Sequence, residues 1–225
     1  MQCPFTHLLE VGPGGGALTK YLLQIPNIHF KAVEIDDEKV AFLHQQYPAL
    51  KDKIIHQSFL DIEPPFDEPF TIVGNFPYNI STQILFKILE WKHRVQCTIG
   101  MFQKEVAQRI AAKEGSKVYG VTSVLVQAFF DVVYLFDVHE NSFNPPPKVK
   151  SGVIKLLPRQ HIVAMKGEAA FTLLVKTAFG QRRKTLRNAC KNLFDAQVLQ
   201  QDIFNKRAEQ LSVQDFASLT YLMKP

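Results

Sequence analysis

The chain has 225 residues, 46% hydrophobic and 21% charged, which allows one domain with an appendage or two small ones and excludes a mostly disordered, collagenous or disulfide-stapled chain. Its start, Met1-Gln2-Cys3-Pro4-Phe5, lacks the basic-then-apolar layout of a signal peptide, and no apolar run approaches the ~20 residues of a membrane helix. The net charge of +5 is uneven: residues 1–157 carry 15 Lys/Arg against 16 Asp/Glu, and residues 158–225 carry 11 against 5.

Residues 7–11 form a short apolar run that ends in a glycine loop, Gly12-Pro13-Gly14-Gly15-Gly16, and a helical pattern follows to about Gln24. Residues 28–34 read as a second strand ending in Glu34-Ile35-Asp36. Asp36 or Asp37 is then placed to cap a helix running to about Gln46. Residues 53–57 make a weak third strand and 70–74 a fourth, ending at Asn75. Ser81 is the expected cap of a helix whose apolar face is Ile84, Leu85, Ile88 and Leu89. Val95–Met101 is a further strand, followed by a helix around Lys104–Ala112. Residues 120–129 read as a helix, with β segments near 131–138 and 152–157 and an extended Pro145-Pro146-Pro147 connection between them. Strands alternating with helices of about ten residues predict βαβ units and an α/β fold with a mostly parallel sheet.

From about residue 165 the pattern is helical and basic, densest at Arg182, Arg183, Lys184 and Arg187. A domain boundary falls near Pro158, giving domains 1–158 and 159–225. A basic segment on a near-neutral body suits a polyanion such as nucleic acid, although a solvated helix face has the same look. Three distant cysteines, Cys3, Cys97 and Cys190, fit no zinc spacing and read as reduced thiols in a cytoplasm. No metal site is expected.

The glycine loop sits between a strand and a helix, where backbone can approach a ligand and free N–H groups are on offer. Gly12, Gly14 and Ala17 fit the dinucleotide fingerprint, and Glu34 ends the next strand, where an acid can bind ribose hydroxyls. A nicotinamide cofactor and S-adenosylmethionine both present an adenosine ribose, so the loop leaves that choice open. A plain tight turn beside a surface glutamate is the structural alternative.

Asn75-Phe76-Pro77-Tyr78 follows directly on a strand and fits the Asn-Pro-Pro-Tyr type motif of amino methyltransferases. An adenine amine is a poor nucleophile because its lone pair is delocalised into the ring. Two acceptors, the Asn75 side-chain carbonyl and the Phe76 backbone carbonyl, would favour a nitrogen closer to tetrahedral. Tyr78 would stack on a base turned out of its helix, and Pro77 would stiffen the turn. Positioning against a positively charged sulfonium then needs no strong base. A strand-ending turn with aromatic packing is the alternative.

These pieces, with Leu9-Glu10-Val11-Gly12-Pro13-Gly14, Gln103-Lys104-Glu105-Val106, Ser116-Lys117-Val118-Tyr119-Gly120, Phe143-Asn144-Pro145-Pro146-Pro147-Lys148-Val149 and Gln181-Arg182-Arg183-Lys184-Thr185-Leu186-Arg187-Asn188, run in order along nearly the whole chain. Together the chain resembles the small-subunit ribosomal RNA adenine dimethyltransferases of the KsgA type. The resemblance implies a class I (Rossmann-like) methyltransferase domain plus a small all-helical C-terminal domain. It implies transfer of methyl groups from S-adenosylmethionine to two adjacent adenines near the 3′ end of small-subunit (16S) rRNA during ribosome biogenesis. The partner would be rRNA or a precursor of the 30S subunit, with no membrane and no demand for a dimer. Gly12 and Gly14 would line the cofactor's methionine end and Glu34 would hold its ribose. Ser58 stands where the family carries an Asp that touches the cofactor's adenine amine. Asn75, Phe76, Pro77 and Tyr78 would form the target site, Asn75 also bordering the cofactor, and Phe143 would sandwich the flipped base or else pack in the core. Arg182, Arg183, Lys184 and Arg187 would meet rRNA phosphates, or in part pair with acids of the first domain. The family's N-terminal Gly-Gln-Asn/His-Phe-Leu segment, which helps cover the cofactor, is missing from this sequence. Other readings are a large-subunit rRNA adenine methyltransferase of the macrolide-resistance type, a non-catalytic rRNA-binding assembly factor, and a nicotinamide-dependent oxidoreductase.

Overall fold

The computed structural model describes residues 6–143 and 149–224. They divide into two compact units, one of residues 1–107 and 133–158, the other of residues 108–132 and 159–225. Residues 108–132 and 159–225 thus share one unit, though they are separated in sequence.

The sheet has seven strands in the order β3-β2-β1-β4-β5-β7-β6. They are β1 (His7–Val11), β2 (His29–Glu34), β3 (Ile54–His56), β4 (Phe70–Asn75), β5 (Val95–Gln103), β6 (Phe130–Val138) and β7 (Ser151–Pro158). β3, β2, β1, β4 and β5 are parallel, and β7 runs antiparallel to β5. Central parallel strands are covered on both faces, which is why β1 and β4 read as near-continuous apolar runs rather than alternating ones. Leu8, Leu9, Phe70 and Ile72 are fully buried, each contributing roughly 1.5–3 kcal/mol of burial.

α2 (Asp37–Gln46) starts where expected: the Asp36 side chain accepts the Lys39 N–H at 3.1 Å. α1 is only Thr19–Leu22, shorter than the sequence pattern suggested. Gly14 and Gly16 adopt φ of +54° and +78°, a left-handed conformation that delays the helix start until after the glycines. α3 (Ser81–Glu90) also differs at its start. Ile80 is the N-cap and Ser81 is the first helical residue, its hydroxyl donating to the Tyr78 carbonyl at 3.1 Å rather than capping. α4 spans Lys104–Ile110.

The second unit holds α5 (Val121–Gln127), α6 (Glu168–Gly180), α7 (Leu186–Ala189) and α8 (Val213–Thr220), with 3-10 turns at 198–200, 202–205 and 208–210 between α7 and α8. Ser212 and Asp215 form a capping box on α8. Phe194 and Phe204 meet edge to face at 4.8 Å inside the unit. Of the cysteines, Cys190 is free and buried, Cys97 is buried in β5, and Cys3 lies outside the described residues. Among the described residues no helix is long and apolar enough to cross a membrane, and none form a cluster that would hold a metal ion.

Candidate active site

Parallel pairing brings the C-terminal ends of the strands to one edge of the sheet. Val11 is paired with Val33, Glu10 with Val73, and Glu34 with His56. The residues just beyond these pairs are the glycine loop, the Glu34 turn, Asn75 and Ser58. Strand order reverses at β1, with β2 and β3 on one side and β4 and β5 on the other, and open α/β sheets bind ligands at such a switch point.

Loop and acid form one constellation. Gly12 takes φ +67° and donates to the Val33 carbonyl at 3.0 Å, tying the loop to β2. The Gly14 N–H donates to Glu34 Oε2 at 3.1 Å, and Glu34 Oε1 accepts from Ile35 and Asp36 N–H groups at 3.0 and 3.2 Å. These backbone donors hold the carboxylate of Glu34, a residue only 7% exposed, in a fixed orientation. Nothing lies within 4 Å of a Cβ built on Gly14 or Gly15, so the loop borders open space. Ile35 beside them is 66% exposed, an apolar surface next to the acid that the sequence reading did not single out.

The target-type motif lies directly against the loop. A Cβ on Gly12 would touch Pro77 Cδ at 3.8 Å and the Asn75 carbonyl oxygen at 3.9 Å. Asn75 itself is exposed at the end of β4. Phe76 is 1% exposed, so its ring is a core group and only its backbone faces the site. That ring fits because Gly74 and Gly100 lie under it: a Cβ at either would come within 2.7 or 2.4 Å of it. Phe102 meets it edge to face at 5.1 Å, and the Phe76 N–H donates to the Met101 carbonyl at 3.2 Å. Tyr78 is half-buried, its hydroxyl 2.5 Å from Ser151 Oγ at the start of β7.

Two other site residues are less closely joined to this group. Ser58 follows β3, and its hydroxyl accepts the Leu60 N–H at 3.2 Å. Phe143 is partly buried after a 3-10 turn at 140–142. Residues 144–148, with the Asn-Pro-Pro-Pro-Lys stretch, lie outside the described residues. The chain is described again at Val149 and rejoins the sheet at Ser151, the partner of Tyr78.

Glu10 is a functional neighbour that sequence reasoning left without a role. It is 1% exposed in β1 and accepts the Thr19 hydroxyl proton at 2.7 Å, beneath the glycine loop. A lone acid in the apolar run before a glycine loop was the available signal. Burial pushes its carboxyl up from the ordinary 4.5 to about 7, and the nearby Glu34 charge adds to the rise against the Thr19 hydrogen bonds. The unfolded chain loses this proton near pH 4.5 while the folded protein keeps it to about 7, so stability falls as pH rises through that window and stays lower above it. Glu10→Gln is therefore expected to stabilise the protein by about 1–3 kcal/mol at pH 8. The gain should vanish near pH 4, as chemical denaturation at the two pH values will read.

The basic residues fall into two pairs. Arg182 Nε donates to Glu209 Oε2 at 2.7 Å and its Nη2 to the Lys117 carbonyl at 2.6 Å. Arg187 Nε donates to the Leu199 carbonyl at 2.9 Å. Both are half-buried and committed to the fold of their own unit. Arg183 and Lys184 are exposed. The acid that Arg182 meets belongs to the second unit, not to the first domain as one expectation had it.

A family model described as "Ribosomal RNA adenine dimethylase" matches residues 3–224. The chain belongs to this family. Proteins named "Ribosomal RNA small subunit methyltransferase A" are similar to it. That of Cytophaga hutchinsonii is 51% identical over 223 residues, covering 97% of this chain and 86% of that protein. That of Flavobacterium johnsoniae is 53% identical over 220 residues, covering 96% and 84%. Among solved structures, a dimethyladenosine transferase from Plasmodium falciparum matches with a TM-score of 0.80 at 23% identity, over 99% of this chain and 93% of that one. The 23S rRNA methyltransferase ErmE matches at 0.71 and 23% identity, over 96% and 92%. These two likenesses show the fold, α/β and Rossmann-like. Family membership makes the chain an S-adenosylmethionine-dependent rRNA adenine dimethyltransferase.

Proposed function

We propose that this dimethyltransferase acts on two adjacent adenines near the 3′ end of 16S rRNA, within a precursor of the small subunit, through the site at Gly12, Glu34 and Asn75–Tyr78. The observation that carries the assignment of residues is the close approach of Gly12 to the Asn75 carbonyl and the Pro77 ring, which a side chain at 12 would meet, while Gly14 is bonded to Glu34. Two motifs far apart in sequence thereby border one space.

The donor set suits S-adenosylmethionine. Glu34 is a carboxylate for ribose hydroxyls, Gly12 to Gly14 give backbone contact at the methionine end, and Ile35 gives an apolar wall for a purine. Ser58 adds a neutral hydroxyl where the adenine edge would lie, a weaker partner than a carboxylate. The cofactor supplies an electrophilic methyl group on a sulfonium. The protein's part is to hold the adenine amine in line with that methyl group. The Asn75 amide oxygen and the Phe76 carbonyl accept the two N–H groups. The Phe76 carbonyl is pre-aimed because its ring and its N–H are both locked. Tyr78, tethered to Ser151, offers its ring face to the extruded base, and Phe143 is the proposed second face. The fixed acceptors then leave the nitrogen lone pair available for attack, and positioning supplies most of the acceleration.

The test is methyl transfer from labelled S-adenosylmethionine to undermethylated small subunits. Label on two adjacent adenines is the expected result; label elsewhere in the small subunit, none at all, or label only on large subunits supplied in a parallel assay would overturn the substrate. For the RNA contacts, the Arg183→Ala, Lys184→Ala double variant should weaken rRNA binding and lower the log–log salt slope by about 1.5–2. Its melting temperature should stay unchanged, because neither side chain holds the fold. Arg182→Ala should instead lower the melting temperature by breaking the Glu209 pair and the bonds to the 116–117 turn.

A further inference from the structure

The Ser116-Lys117-Val118-Tyr119-Gly120 stretch has no part in the chemistry above, yet several independent bonds fix it. Gly115 takes φ +84° and donates to the Glu209 carbonyl at 2.7 Å. Arg182, held by Glu209, donates to both the Ser116 and Lys117 carbonyls. Ser116 Oγ accepts the Tyr119 N–H at 3.2 Å, and Tyr119 is fully buried, edge-on to Phe179. Anchoring the backbone on one side and Tyr119 on the other forces Lys117 and Val118 outward; both are exposed, Val118 by 44%. Arg109 lies alongside, its carbonyl bonded to Ser123 Oγ in α5 and its side chain exposed.

Together they border a pocket of about 330 Å³ lined by Arg109, Lys117, Val118, Val121, Phe179 and Arg182. Three cations and an apolar wall meet there, and no Asp or Glu contributes to the lining. A fixed basic rim around an apolar wall is the chemistry of a nucleotide site: cations for the phosphate, apolar surface for sugar and base. The rigid backbone lowers the ordering cost of binding.

We propose that this pocket is a docking subsite for one rRNA nucleotide distant in sequence from the target adenine, its phosphate held by Lys117 and Arg109 and its apolar side resting on Val118 and Val121. The inference rests on the rRNA reading above and adds a second point of attachment to it. Arg182 acts here as a positioning residue, since its N–H groups hold the turn that displays Lys117.

The experiment compares the wild type with the Arg109→Gln, Lys117→Gln double variant in binding to protein-free 16S rRNA and to undermethylated small subunits over a range of salt. The backbone carbonyl that Arg182 uses survives both substitutions. The expected result is a Kd for each RNA raised about 10-fold and a log–log salt slope lowered by about 1.5–2. KM for subunits should rise by the same factor, with kcat and S-adenosylmethionine affinity unchanged. Arg109→Lys with Lys117→Arg should restore wild-type values, and Val118→Asp should weaken binding on its own. An unchanged slope, or a conservative pair as weak as the Gln pair, would overturn the proposal. So would a defect confined to whole subunits, which would point to a protein partner. Failure of the wild type to bind or methylate rRNA would remove the reading beneath it, and is read separately before any variant.

Discussion

Asn75→Ala is expected to lower kcat for methyl transfer by about 10²–10³-fold while leaving the Kd for rRNA within about threefold. Asn75 stands at the end of β4, exposed, with its main chain held by the pairing of β4 with β5. Its side chain is thus free to serve a substrate, and its removal leaves no cavity in the core. The lost acceptor acts on the target amine as that nitrogen becomes nucleophilic, so the loss belongs in kcat rather than in rRNA binding. Single-turnover transfer with labelled cofactor, filter binding of rRNA and a melting curve separate the cases. Unchanged transfer would move the acceptor role elsewhere. Loss of transfer together with rRNA binding would make Asn75 a structural residue.

Glu34→Ala should raise the Kd for S-adenosylmethionine by about 10²–10⁴-fold, the loss of two charge-assisted hydrogen bonds at roughly 1.5–3 kcal/mol each. The same substitution strips the Gly14, Ile35 and Asp36 N–H groups of their acceptor, so part of the loss reflects a loosened glycine loop. Glu34→Gln separates the two contributions, because it keeps the shape and an acceptor oxygen but not the charge. Calorimetry should place the Gln variant about tenfold weaker than wild type, well short of the Ala variant. Equal losses would mean that charge carries everything; no loss in either would remove Glu34 from the cofactor site.

The features legible in the sequence were those set by short-range chemistry. A strand ending in glycines, a second strand ending in an acid and a third ending in Asn-Phe-Pro-Tyr each announce themselves within a few residues. Parallel pairing then does the rest, because the ends of such strands meet at one edge. Features that depend on distant partners were not legible. The helix after the glycine loop shortened to Thr19–Leu22, since the handedness of Gly14 and Gly16 is a matter of three-dimensional closure. Ser81 looked like a cap, but the Tyr78 carbonyl lay within reach of its hydroxyl. Arg182 and Arg183 are neighbours of one type in sequence. One is bonded to Glu209 and to the 116–117 turn and the other is free in solvent, a distinction made 27 residues away at Glu209. Glu10 went without a role because its meaning lies in Thr19, a residue of the next element.

The ring of Phe76 makes the second position of the target motif a question of sheet architecture rather than of substrate. Its space is created by missing side chains on two neighbouring strands, at Gly74 and Gly100. The three residues are thus one steric unit, and none can change size alone. A smaller residue at 76 would leave a void over two glycines. An alanine at 100 would press on the rings of both Phe76 and Phe102, and an alanine at 74 would press on the Phe76 ring and on the Val11 carbonyl at 2.6 Å. Anyone redesigning this enzyme for a different base would do best to vary 74, 76 and 100 together, as a single letter of the code.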